Sequence, residues 1–271
     1  MKKKEKELNI NNEVGEVTEI AFCFDTTGSM RPCIQQVRDE IEAVCEQMTE
    51  DIEGLKVAMI AHGDYCDGDN VIDILELTDD KEKIFKFIRE TPNTHGGDAP
   101  ECYELALHVA QTLGWSEAPG KALVMIGDAT PHPVDYPGNT QNLDWKEEAK
   151  KLNEMGIKIF PLECLGGSYF WEKLAEISGT SLLKLGDFKE SSEALMGVAY
   201  AAAGEDAFEL YSHRLDDKIA KGTVCCSADM VSRNAALRCH AADYTKMRND
   251  AAIDAEIKTT PTAKTDKEID T

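Results

Sequence analysis

Stretches of unbroken apolar sequence alternate along this chain with stretches whose apolar residues return every three or four positions. Residues 19–24 are of the first kind, and their lack of alternation suits a central parallel strand covered on both faces by helices. Next, Ile34, Val37, Ile41, Val44, Cys45 and Met48 fall on one helical face, and Gly54 closes that segment. Residues 55–60 and 71–77 read as strands, the second alternating as a more exposed edge strand does. Ile84, Phe85, Phe87 and Ile88 mark a helix of about ten residues. Leu105, Leu107, Val109, Ala110 and Leu113 mark another, and residues 121–126 repeat the fully apolar run. Helix 145–155, strand 157–162, helix 169–177, strand 181–185 and helix 190–203 complete the alternation. The pattern predicts an α/β fold with a doubly wound, mainly parallel sheet flanked by helices.

Two of these runs end in a carboxylate, Asp25 and Asp128, where a doubly wound sheet gathers its ligands. Asp25, Thr27 and Ser29 recur at a spacing of two, so an extended loop turns three oxygens one way, and Gly28 lets the backbone bend. The simpler alternative is that Asp25 and Ser29 turn the chain and cap the next helix. Residues 91–101 form a second informative loop, in which Pro100 is expected to place Glu101 in the first turn of the following helix. There Glu101 would at least complement the helix dipole. With Asp25, Glu101 and Asp128 converging, three carboxylates need a neutralising cation, and hard cations such as Mg²⁺ favour these oxygens. The proline-bearing loop 129–139, with His132, Asp135 and Tyr136, is expected to form the rim that meets whatever binds above. The acidic connection 62–70 reads as a solvated turn, with a hairpin or a second cation site as alternatives.

A formal charge of -22 over 271 residues argues against nucleic acid as a partner, because phosphate binding needs a basic surface. Nine cysteines in scattered, odd-numbered array suit free, mostly buried thiols and a cytoplasmic, reducing compartment. The lysine-rich opening is followed by no apolar run that would make a signal peptide, and no stretch is long enough to span a bilayer. Residues 1–16 read as a tail. Residues 204–271 read as an extension, helical and then disordered, since 259–271 hold almost nothing to bury. Cys225, Cys226, Cys239 and His240 lack the two-residue gap of a zinc site.

Asp25-Thr26-Thr27-Gly28-Ser29-Met30, followed by Gly96-Gly97-Asp98-Ala99-Pro100-Glu101 and by Gly127-Asp128-Ala129, resembles the von Willebrand factor type A domain over residues 17–203. That family's Asp-x-Ser-x-Ser motif and two later loops form its metal-ion-dependent adhesion site on a Rossmann-like fold. The resemblance implies that Asp25, Thr27, Ser29 and Asp128 hold Mg²⁺ or Mn²⁺. Thr27 keeps the hydroxyl of the commoner serine. Many relatives supply a threonine from the second loop, for which Thr94 stands in reserve, but Asp98-Ala99-Pro100-Glu101 resembles the integrin β-subunit and hemicentin version, in which the glutamate is the ligand. Integrin β-subunits also hold a flanking cation with an asparagine two places before the Asp. Gly96 stands there, leaving Asp98 without that companion.

The resemblance implies binding rather than turnover, with an Asp or Glu of a partner protein replacing a metal-bound water. Three acidic ligands leave less residual charge on the ion than two do, so modest affinity is expected unless the rim assists. Two alternatives stand beside this. One is an intracellular adaptor with a structural metal. The other is a phosphatase-like hydrolase with Asp25 as nucleophile, for which Thr27 replaces the second carboxylate of the haloacid-dehalogenase-like Asp-x-Asp.

Overall fold

The first apolar run becomes β1 (Thr18–Asp25), with every residue buried. Ile20, Phe22 and Phe24 enter one apolar cluster, while Ala21 and Cys23 enter a second on the opposite face. A strand wrapped on both sides has no polar face, hence no alternation in its sequence. The structure is a computed structural model and describes residues 18–117, 120–165, 169–185 and 191–224, with Leu237 and Lys246.

After β1 come α1 (Ile34–Asp51), β2 (Lys56–His62), β3 (Ile72–Thr78), α2 (Lys81–Glu90) and β4 (Pro100–Glu101). Then follow α3 (Tyr103–Ala110), β5 (Gly120–Gly127), β6 (Thr130–Pro131), α4 (Trp145–Glu154) and β7 (Ile157–Cys164). The described elements end with α5 (Tyr169–Ser178), β8 (Leu183–Leu185), α6 (Ser191–Ala202) and α7 (Glu205–Ala220). The main sheet has the order β3-β2-β1-β5-β7-β8 and is parallel except for the edge pair β2–β3. The chain order reverses direction across the sheet at β1 and β5, so loops leaving their carboxyl ends open a crevice there.

The helices follow the sequence pattern. α1 buries Ile34, Val37, Ile41, Val44, Cys45 and Met48. Asp80 caps α2 by accepting from the Glu82 and Lys83 amides, and Asp144 caps α4 through the Lys146 amide. Five of the six described cysteines are buried free thiols, and Cys66 is exposed. Among the described residues no helix is long and apolar enough to cross a membrane.

Three expectations change. Glu101 does not lie on a helix: it belongs to β4, which pairs in parallel with β6, while α3 begins at Tyr103. That small sheet draws the second loop onto the third. The connection after β2 is a solvated turn only in part: it forms a short 3-10 helix over Tyr65–Asn70 with Cys66, Asp69 and Asn70 exposed, but Asp64 at its start is fully buried. Finally, α7 is no appendage. Its Ala207, Phe208, Tyr211 and Leu215 are buried in the cluster that holds Ile20 and Phe22, so one core runs across the expected boundary at 203 and 204. The expected terminal tails at 1–16 and 259–271, and Cys225, Cys226, Cys239 and His240, lie outside the described residues.

Candidate functional site

The site grows from the end of β1. Asp25 is fully buried, and its carboxylate is shared between two loops. Oδ1 accepts the Thr27 amide at 2.7 Å, and Oδ2 accepts the Tyr103 hydroxyl at 2.6 Å. The Tyr103 oxygen in turn accepts the amides of Asp128 at 3.2 Å and Ala129 at 3.3 Å. One phenol therefore ties the first loop to the third. Gly127 makes this possible, because a Cβ there would fall 2.1 Å from the Tyr103 oxygen. Thr27 Oγ1 lies 3.2 Å from Ser29 Oγ, which donates to Asp128 Oδ1 at 2.9 Å. Asp25, Thr27, Ser29 and Asp128 thus form one continuous polar cluster. Burial raises the Asp128 carboxyl above its ordinary value, the Ser29 hydroxyl opposes this, and Asp25 adds to it.

Glu101 joins the cluster from β4. It is 4% exposed and bonds the Thr27 side chain, but its Oε2 has no partner. Burial, and then the neighbouring carboxylates of Asp25 and Asp64, push its carboxyl up to about 9 against the Thr27 hydrogen bond. Gly96 is required beside it on two counts: its φ is +69°, and a Cβ would lie 2.7 Å from Glu101 Oε1. A buried carboxylate oxygen without a donor, facing further carboxylates and hydroxyls, is the donor set a hard divalent cation satisfies. Thr94 takes a different place. Its amide donates to the Thr26 carbonyl at 2.9 Å, and its hydroxyl lies 3.0 Å from that of Thr26, so it braces the first loop from behind.

The rim differs from expectation at His132. Only 2% exposed, its ring places Nε2 2.7 Å from Asp64 Oδ1 and 3.9 Å from Asp98 Oδ1. A partner above the site cannot reach it, because the acidic pair draws the imidazole inward. Tyr136 stacks on that ring with centroids 3.8 Å apart, half-buried, and the exposed Asp135 beside it remains at the surface. Asp98, considered for an additional metal, is half-exposed and faces this histidine.

Sequence reasoning did not find Tyr103 or Glu104, and it reached Asp64 and Asp67 only within the acidic connection 62–70, where a second cation site was an alternative to a solvated turn. The Asp67 carboxylate accepts amides from Asp64 at 2.8 Å, His95 at 3.0 Å and Gly96 at 3.2 Å, so it shapes the second loop. Glu104 accepts the His132 amide at 3.0 Å and the Tyr65 hydroxyl at 2.8 Å. The available signal was the density of acids in 62–70 and a tyrosine opening an otherwise apolar helix, since a buried phenol needs a hydrogen-bond partner.

Comparison with known proteins finds relatives of the chain. Residues 19–148 match the von Willebrand factor A domain family. A Dictyostelium discoideum protein described as alpha-protein kinase vwkA is 22% identical over 147 residues, which is 50% of this chain and 24% of that protein. The chain therefore spans about a quarter of that relative's length. Among solved structures, the pilus adhesin SpaC from Lactobacillus rhamnosus GG in its open conformation is similar with a TM-score of 0.56 at 15% identity, covering 73% of this chain and 31% of the adhesin. Proximal thread matrix protein 1 from the mussel byssus is similar with a TM-score of 0.52 at 18% identity, covering 68% of this chain and 47% of that one. The SpRpn10 VWA domain gives 0.50 at 14% identity, over 66% of this chain and 94% of that domain. At these identities the solved structures speak for the fold.

Proposed function

We propose, from the premise that this chain carries a von Willebrand factor A domain, that it is a metal-dependent protein-binding module whose cation site is completed by an acidic residue of a partner. Asp25, Thr27, Ser29, Glu101 and Asp128 would hold the ion, and Mg²⁺ or Mn²⁺ suits their oxygens. When bound, it supplies an exchangeable water position that an incoming carboxylate can fill. The observation that carries the reading is Glu101, a buried carboxyl with one oxygen unpartnered beside Asp25. Tyr103, itself held by the amides of Asp128 and Ala129, fixes Asp25, and the exposed Asp135 and half-buried Tyr136 would form the rim that a partner meets. Thr94 serves the loop's shape and Asp98 lies outside this donor set.

Binding fits the chemistry better than hydrolysis. Asp25 is fully enclosed and both its oxygens accept hydrogen bonds, which suits a held ligand and not an attacking nucleophile. A peptide with a single Glu among neutral residues, and its Gln counterpart, test the proposal. The Glu peptide should bind with Mg²⁺ present and be released by EDTA, while the Gln peptide should not bind. Binding that persists in EDTA would overturn it.

A further inference from the structure

Beside the first cluster lies a second group of donors built from three loops. Asp64 follows β2, Asp98 comes from the loop before β4, and His132 follows β6. One donor atom from each lies within 4.8 Å of the other two. Asp64 and the His132 ring are fully enclosed, while the Asp98 side chain is 49% exposed and leaves one side open. Backbone and side-chain contacts hold the set in place. The His132 amide is fixed by Glu104, the Asp64 amide by Asp67, and the ring is covered by Tyr136 with Tyr65 alongside. Gly97 lets the second loop pass over it, since a Cβ there would meet Cys66 Sγ at 2.9 Å and Asp64 Oδ2 at 3.3 Å.

Two observations point to a ligand. First, His132 is nearly wholly buried and directs Nε2 at both carboxylates, 2.7 Å from Asp64 Oδ1 and 3.9 Å from Asp98 Oδ1, so one ring nitrogen and two carboxylate oxygens from three loops face a common point. Second, among the described residues no lysine or arginine forms an ion pair with Asp64, Asp67, Asp98, Glu101 or Glu104, although these acids crowd together. Buried like charges without a cationic side chain are costly, and an added cation relieves that cost.

We infer that Asp64, Asp98 and His132 form a second metal site, selective for a divalent first-row transition cation such as Zn²⁺ over Mg²⁺. An imidazole nitrogen with two carboxylates is a borderline donor set, whereas Mg²⁺ prefers oxygen alone. Cys66, whose Sγ donates to Asp64 Oδ2 at 3.5 Å, places a thiol beside the open side and strengthens the preference for the softer ion. This site stands independently of the one at Asp25.

Co²⁺ tests it in the metal-stripped 271-residue chain, read by visible absorption of the bound ion and by Zn²⁺ competition. Saturable Co²⁺ uptake should persist in the Asp25→Ala/Ser29→Ala variant, which removes the first site, and should resist millimolar-range excess of Mg²⁺. Asp98→Asn, at a half-exposed position that leaves the fold intact, should weaken Co²⁺ binding by about tenfold or more, and His132→Asn should do the same. The inference is overturned by absence of saturable uptake, by loss of uptake in the Asp25→Ala/Ser29→Ala variant, or by Co²⁺ affinity unchanged in Asp98→Asn.

Discussion

Tyr103 shows how one side chain decides the geometry of a site it does not itself line with charge. Its hydroxyl donates to Asp25 and accepts from residues 128 and 129, and burial, then the Asp25 charge, raises its pKa well above the ordinary phenol value. Tyr103→Phe should cost about 1–3 kcal/mol of stability through the unpaired groups it leaves and lower Mg²⁺ affinity by about 10–100-fold. Denaturant titration and calorimetry measure the two effects separately. Glu101→Gln should act in opposite directions. Without metal, above about pH 9 where the carboxyl is ionised, it removes a buried like charge and should raise the melting temperature, by roughly 2–4 °C for each kcal/mol gained. With Mg²⁺ it should diminish the ligand-induced rise in melting temperature. A Glu101→Gln protein that melts below the parent in EDTA would mean that the carboxylate is satisfied without a cation.

The elements were more legible in the sequence than the junctions between them. β1 and β5 are read from unbroken apolar runs because both faces are covered, and α1 from its spacing because one face is. β4 and β6 are two residues each and carry no periodicity, so the placement of Glu101 on a strand was beyond pattern reasoning. The same holds for His132, whose inward turn depends on Asp64 from a distant loop. α7 was underestimated because its buried residues are few and widely spaced among charged ones. Its Arg214 grips Asp51 of α1, with Nη2 2.7 Å from Oδ1, and Tyr200 bonds the same carboxylate. Burial would raise the Asp51 pKa, but the bonds from Arg214 and Tyr200 prevail and hold it below the usual value. A depressed folded pKa contributes stability above the unfolded value and loses it as pH falls through the folded one. The stability difference between parent and Arg214→Ala should therefore be constant near neutrality and shrink below about pH 4, as acid titration of unfolding would show.

For the whole molecule, the sheet order brings two carboxylate-tipped strands side by side, and the loops of both apolar layers meet at that edge. The Asp25 and Asp128 placement was legible because chain topology alone dictates it. The packing of α7 makes the domain longer than its motifs suggest. A chain ending at residue 203 should expose the surface covered by Phe208, Tyr211 and Leu215, losing roughly 1.5–3 kcal/mol for each large apolar side chain, and should aggregate or unfold at lower denaturant than one ending at 224. Equal midpoints would show that the core closes without α7.

The central claim is that Asp25, Thr27, Ser29, Glu101 and Asp128 hold a divalent cation. Calorimetric titration of Mg²⁺ and Mn²⁺ into the metal-stripped chain, beside the Asp25→Ala/Ser29→Ala variant, tests it most directly. Saturable Mg²⁺ binding in the parent and its loss in the variant is the predicted result; equal heats in the two proteins would contradict the account.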